Sequence, residues 1–251
     1  MPAAAYVDLI ASFTIGSIPF GWIVSKLWGI PDIRRHGSSN IGATNVARTA
    51  GVVPGALTFL LDFAKGLVPM LYFPDAAVWI GLAAVAGHCF SPFLSFRGGK
   101  GVSTTLGALV GFHPLLGGAA ILVYLVTLAI TRVSALGSLY AMLTALCGAL
   151  IFAESASAKI GITVMVVLVL GRHRDNWNRL LQPGALLLAL VGTAVSPKAG
   201  AAPLADFRGK PVDAARAPRR VVALMPSLAE TIAAAWTTFS PTPPQPNTAM
   251  D

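Results

Sequence analysis

A series of apolar runs, separated by short polar connections of alternating charge, constrains this chain more than any other feature. About 20 apolar residues wound as a helix match the hydrocarbon thickness of a bilayer, and backbone within lipid has to satisfy its own hydrogen bonds, so such runs fold as helices. Seven candidate spans can be drawn, at roughly residues 5–27, 52–72, 76–93, 103–112, 114–130, 133–152 and 157–171. The expected fold class is all-α, a polytopic membrane helix bundle of about seven transmembrane helices. The fourth run is too short to cross alone and is expected to be re-entrant or tucked inside the bundle, where its backbone is shielded from lipid. Composition agrees: 55% of the 251 residues are hydrophobic and only 11% are charged, against about 25% charged in a soluble domain.

The placement of charge orients the bundle. Arg34, Arg35 and Arg48 follow the first span, Arg97 and Lys100 the third, Arg132 the fifth, and Arg172, Arg174 and Arg179 the seventh. The intervening connections hold Asp75, the stretch Gly111 to His113, and Glu154 with Lys159 at its edge. Lys and Arg remain on the cytoplasmic side, so the N-terminus is expected outside and the basic loops in the cytoplasm. The formal charge of +8 belongs to this sidedness, and no nucleic-acid partner is expected. Cys89 and Cys147 sit in apolar runs, where cysteine behaves as a small buried hydrophobe. No cysteine spacing suggests zinc, and no metal is expected.

Three polar islands fall on the basic side. The most telling is Phe96-Arg97-Gly98-Gly99-Lys100-Gly101-Val102-Ser103-Thr104. Glycines allow backbone N–H groups to approach a ligand closely, nested N–H groups attract anions, and Lys100 supplies a point charge suited to phosphate. It is not a nucleotide P-loop, because Leu94 stands where that motif needs its first glycine. The plain alternative is a flexible hinge, which requires neither Lys100 nor the hydroxyls of Ser103, Thr104 and Thr105. Those hydroxyls are expected in the first turn of the next helix, whose N-terminus favours an anion. The first island runs from Gly37 to Arg48 and includes Ser38, Ser39, Asn40, Thr44 and Asn45. It reads either as a solvated Asn–Gly loop or as small donors for phosphate and glycerol oxygens, closed by Arg48 as a two-donor phosphate grip. The third, Gly171 to Leu180, has the arginines and Trp177 of a stop-transfer cluster. His173 and Asn176 exceed that description and would share a helical face at i and i+3. His88, near the end of the third span, reads as a packed histidine. Asp62 and Lys65, three apart within the second span, read as a structural ion pair that offsets the cost of charge at membrane depth.

Together the islands resemble those of the bacterial acyl-phosphate:glycerol-3-phosphate acyltransferases, over roughly residues 5–182. The first motif is similar to Ser38 through Arg48, the second to His88, Phe90 and Phe96 through Thr104, and the third to Arg172, His173, Asn176 and Arg179-Leu180. Ser39 departs from the family's usual glycine, Ser91-Pro92 from a Pro-then-aliphatic pair, and Ser103 from alanine. The resemblance implies a seven-span fold with a cytoplasmic site in the bacterial inner membrane. It also implies the transfer of a fatty acyl group from acyl phosphate to the 1-hydroxyl of glycerol 3-phosphate, the first step of phospholipid synthesis. Ser38, Lys100, His173 and Asn176 are the implied catalytic residues. Asn40, Thr44, Asn45, Arg48, Gly98, Gly99, Gly101 and Ser138 are the implied substrate-binding ones. The partners are then the two substrates and the bilayer, with the oligomeric state open and a monomer one of the options. Acyl phosphate is already activated, so no cofactor is expected. His173 either accepts the hydroxyl proton or binds phosphate while a substrate phosphate accepts it. A transporter of a phosphorylated solute is the alternative, but it should place its binding groups near the bilayer midplane and often has repeated halves.

The remainder of the chain is a different material. Pro183 is followed by an apolar run from Gly184 to Val195, too short to span, and then by small residues, Ala199 to Pro203; the pattern is that of a signal peptide in an internal position. Arg219 to Ile232 reads as a strand, a turn and a helix capped by Ser227 with Glu230 three residues on. It resembles the opening of periplasmic binding proteins that serve cobalamin and siderophore importers. The Pro-rich stretch Pro241 to Asn247 is expected to be disordered. The expected organisation is a membrane domain over 1–182 and an atypical extension over 183–251, a fused or truncated remnant.

Overall fold

The computed structural model describes residues 3–73 and 77–180, and every regular element among them is helical. The expected extension over 183–251 lies outside the described residues. Apart from Thr131–Val133, the described residues belong to one unit, and the account below concerns that unit.

The first expected span is two helices, α1 (Ala3–Ser17) and α2 (Phe20–Leu27), broken at Ile18-Pro19. Proline has no N–H to give and its ring clashes with the preceding turn, so carbonyls just upstream lose their helical partners. Side chains from other segments replace them. Ser91 Oγ donates to the Ser17 carbonyl at 2.6 Å, and Lys65 Nζ donates to the Ile18 carbonyl at 2.8 Å. The break is thus satisfied from within the protein, as non-helical backbone at membrane depth requires.

After a single 3-10 turn at Ile33–Arg35, the first polar island forms a short helix, α3 (Ala43–Ala50). From the sequence this stretch reads either as a solvated loop or as a set of small donors, with no helix drawn over it. The helix is amphipathic, with Asn45 and Val46 buried and Thr44 and Arg48 exposed. The other expected runs follow as α4 (Val52–Tyr72), α5 (Ala77–Cys89), α6 (Val102–Phe112), α7 (Pro114–Thr131), α8 (Ser134–Phe152) and α9 (Ala156–Gly171), with α10 (Arg174–Leu180) closing the third island. Among the described residues, four segments have the length and hydropathy to cross a membrane: α1 with α2, α4, α7 and α8. The apolar helices α5, α6 and α9 are shorter.

At 1.5 Å per residue α6 is only about 16 Å long, and it is tucked inside the bundle. Thr104 through Leu109 are all buried. Glycines let it approach α4: a Cβ at Gly66 would strike the Thr104 carbonyl, and one at Gly107 would strike that of Phe63. Around it, Val85, Leu106, Leu109, Leu116, Met142, Met165 and Val169 form the main core. A second apolar cluster, Val24, Ile33, Ile41, Val46 and Leu94, underlies the first island. The expected ion pair is present in α4, with Lys65 Nζ 2.8 Å from Asp62 Oδ1 and both side chains buried. His88 of α5 packs beside it, its Nδ1 3.6 Å from the same carboxylate oxygen.

Candidate active site

Asn45 organises the first island from below. Its Oδ1 accepts from the Ser38 N–H at 2.8 Å, and its Nδ2 donates to the carbonyls of Asn40 (2.7 Å) and His36 (3.0 Å). Asn40 Oδ1 in turn accepts from the Gly42 N–H at 2.9 Å, an Asx turn that leads into α3. Ser39 stands in the left-handed region at φ +57°, the conformation that a glycine would take without strain. Asp32 closes the loop's edge by accepting from Arg34 Nε and Nη2, each at 2.9 Å. The Arg34 guanidinium holds the Asp32 carboxyl at about 2, well below the usual carboxylate range.

The second island leaves α5 through a 3-10 turn at Pro92–Leu94 and two consecutive left-handed residues, Ser95 (φ +53°) and Phe96 (φ +60°). Its glycines serve packing. The Gly98 N–H donates to the Cys89 carbonyl at 3.2 Å, and the Gly99 N–H donates to the His88 carbonyl at 3.0 Å. A Cβ at residue 98 would meet the His88 carbonyl, and one at residue 99 would meet the His88 ring. These two amides are therefore used inside the loop, contrary to the expectation that they cradle an anion. Gly101, at φ +86°, turns the chain into α6. Ser103, Thr104 and Thr105 lie in the first turn of α6, as expected, with Thr104 and Thr105 fully buried.

The third island splits its two polar residues. His173 is buried, with its ring 6.0 Å from that of Trp177. Its Nδ1 lies 2.8 Å from the Val169 carbonyl. A carbonyl only accepts, so Nδ1 carries the proton and Nε2 is the acceptor in the neutral ring. Burial depresses the imidazole to about 4, the Val169 carbonyl opposes this, and the charge of Lys100 adds to it. Asn176 turns the other way and accepts from Lys100 Nζ through Oδ1 at 2.7 Å. Arg172 donates to the carbonyls of Gly98 (Nη2, 3.0 Å) and Gly99 (Nε, 3.2 Å).

The three islands meet around an open cleft of about 800 Å³, within the usual range for small-molecule sites. Of the expected residues, Ser38, Asn40, Gly98, Lys100 and Asn176 line it. Arg34, Arg97, Arg172 and Arg174 add cations, Asp32 and Asp175 add carboxylates, and Phe90, Val167 and Leu168 form an apolar flank. Thr44, Asn45, Arg48, Gly99, Gly101, Ser138 and His173 are not among the lining residues. Ser138 and Thr44 are instead joined through Ser134: Ser138 Oγ donates to its carbonyl at 2.9 Å, and Thr44 Oγ1 is 3.1 Å from its hydroxyl. Tyr124 Oη is 2.9 Å from the same hydroxyl.

The sequence profile of the Glycerol-3-phosphate acyltransferase family matches residues 6–183. The chain belongs to this family. Curated glycerol-3-phosphate acyltransferases of similar sequence include that of Erythrobacter litoralis, 40% identical over 180 residues (70% of this chain, 91% of the relative). That of Methylobacillus flagellatus is 42% identical over 181 residues (70% and 92%). Among solved structures, the glycerol 3-phosphate form of PlsY (YgiH), an integral membrane glycerol 3-phosphate acyltransferase, matches with TM-score 0.68 and 37% identity, covering 73% of this chain and 94% of that one. Its lysophosphatidic acid form matches with TM-score 0.67 and 35% identity, over the same shares. The protein is thus an all-α integral membrane acyltransferase. Sequence reasoning placed Arg97 in the glycine island and Arg172 in the third motif but assigned neither a site role, and it read Arg174 as a membrane anchor. The signal available was their crowding beside the glycine loop and the histidine, which a membrane anchor does not need.

Proposed function

We propose that the cleft transfers a fatty acyl group from acyl phosphate to the 1-hydroxyl of glycerol 3-phosphate, at the cytoplasmic face of the bacterial inner membrane. The observation that carries this reading is the convergence of Ser38, Asn40, Lys100 and Asn176 on one cationic cleft with an apolar flank. Both substrates are phosphorylated, and the cations lower the cost of holding two anions together. The acyl chain lies along Phe90, Val167 and Leu168; Val167 is 63% exposed on the outer side of α9, where lipid would be.

The hydroxyl oxygen attacks the acyl carbonyl carbon, the bond from that carbon to the phosphate oxygen breaks, and phosphate leaves. The hydroxyl proton passes to a phosphate oxygen. His173, buried away from the cleft wall, supports the site through its neighbours. Alignment of the reactants alone can lower such a barrier by about 7–11 kcal/mol, so a strong protein base is not required. The basic connections support an outside N-terminus, and the membrane domain ends near residue 182, with the extension following it.

The test is phosphate release from acyl phosphate by the purified protein in liposomes, dependent on added glycerol 3-phosphate, with acyl-coenzyme A as a parallel donor. Lys100→Ala should lose turnover by about 10²-fold or more while inserting normally. Near-normal turnover would refute the anion-holding role, and activity with acyl-coenzyme A alone would refute the donor.

A further inference from the structure

We propose that Arg172 is a positioning residue that sets Lys100 in the cleft by fixing the two peptide units before it. The proposal rests on the function argued above. Arg172 spans two consecutive carbonyls, Gly98 and Gly99, with two different nitrogens of one guanidinium. The opposite edges of the same segment are held by α5, through the Gly98 and Gly99 N–H bonds to Cys89 and His88. The His88 carbonyl and ring leave no room for side chains there. The loop is therefore gripped between α5 and the end of α9, and the grip ends one residue before Lys100.

The other end of this arrangement is equally defined. Arg172 caps α9 in helical conformation, its own N–H bonded to the Leu168 carbonyl at 3.0 Å. Its guanidinium carbon lies 5.5 Å from the centre of the Phe90 ring, a distance at which cation and aromatic face attract. One helical turn later, Asn176 receives the Lys100 ammonium. The pair Arg172 and Asn176 thus holds residues 98, 99 and 100 in register, referenced to the end of α9. A planar fork is required for this, because two carbonyls on successive residues are reached by separate, fixed donors; a lysine at 172 would keep the charge and lose the span.

The experiment compares wild type, Arg172→Lys and Arg172→Ala in liposomes, with kcat and KM measured for both substrates and hydrogen exchange followed at residues 97–101. Misplacing a reacting group by about 1 Å costs about 10²-fold, so Arg172→Ala should lose about that much in kcat, and Arg172→Lys at least about tenfold. KM for glycerol 3-phosphate should move by less than about threefold. Exchange at the Gly98 and Gly99 amides should quicken in both variants, while that of α4 and α6 stays unchanged. Added guanidinium should restore part of the activity of Arg172→Ala, and ammonium should not. The proposal is overturned if Arg172→Lys matches wild type within about twofold, since charge alone would then suffice. It is equally overturned if the loss lies wholly in KM, which would make Arg172 a substrate-binding cation. A wild type inactive on acyl phosphate would sink the functional reading, while the exchange data would still decide whether Arg172 holds the loop.

Discussion

Ser39 shows how a single residue can carry a cost that the sequence hints at. Its φ of +57° lies in the left-handed region, which costs an L-residue with a Cβ about 1 kcal/mol. The family's usual glycine at this position has no such penalty. Ser39→Gly should therefore raise the melting temperature in detergent by about 2–4 °C, read by scanning fluorimetry; a fall would mean that the serine side chain makes a compensating contact. His173 supplies a pH prediction. Its folded value of about 4 lies below the unfolded value near 6.5. The unfolded chain therefore takes up the proton first as pH falls. Stability from this group is complete above about pH 6.5 and is lost as pH falls toward 4, by at most about 3 kcal/mol. Denaturant midpoints between pH 7 and 4 should show this slope, and His173→Asn should flatten it. Residue roles were the least legible layer. Asn45 has the same amide a ligand site needs, and only the path of the surrounding backbone turns it into the knot of a loop. The glycines at 98 and 99 were recognised as special, but for close approach to a ligand rather than to His88.

At the level of elements, the apolar segments were legible because bilayer thickness and backbone satisfaction leave few choices. The expected boundaries of α4, α6 and α7 fall within a residue of those observed. The short helix α3 was not legible, since glycine, serine and asparagine mask an amphipathic stretch only two turns long. The break between α1 and α2 was also missed. Its cause, Pro19, is visible in the sequence, whereas its remedy is Lys65, on another helix. Removing one partner of a buried ion pair costs about 3–5 kcal/mol. Lys65→Met should cost at least this much, because it also removes the shorter of the two hydrogen bonds to the Ile18 carbonyl, at 2.8 Å against 3.1 Å from the Phe20 N–H. Asp62→Asn combined with Lys65→Met should recover part of the loss, measured as the monodisperse fraction on size exclusion after heating. If the single substitution is tolerated as well as the double, the pair does not carry the stabilising role argued for it.

Across the whole molecule, the cleft draws on residues as far apart as Asp32 and Asn176, and no stretch of the chain holds it alone. The described part of that machinery ends with α10. The family match ends at residue 183, so a chain stopped after Gln182 should keep the turnover of the full chain. A dead truncation would show that the extension completes the site. The kinked entrance helix has a further implication for biogenesis. While only α1 and α2 have emerged from the ribosome, the Ser17 carbonyl lacks the Ser91 hydroxyl and the Ile18 carbonyl keeps only the Phe20 N–H, and hydrocarbon offers no other donor. The leading segment must linger at the insertion machinery or at the wet interface until Lys65 and then Ser91 arrive. The order of synthesis thereby makes the second apolar helix the first one's passport into the bilayer.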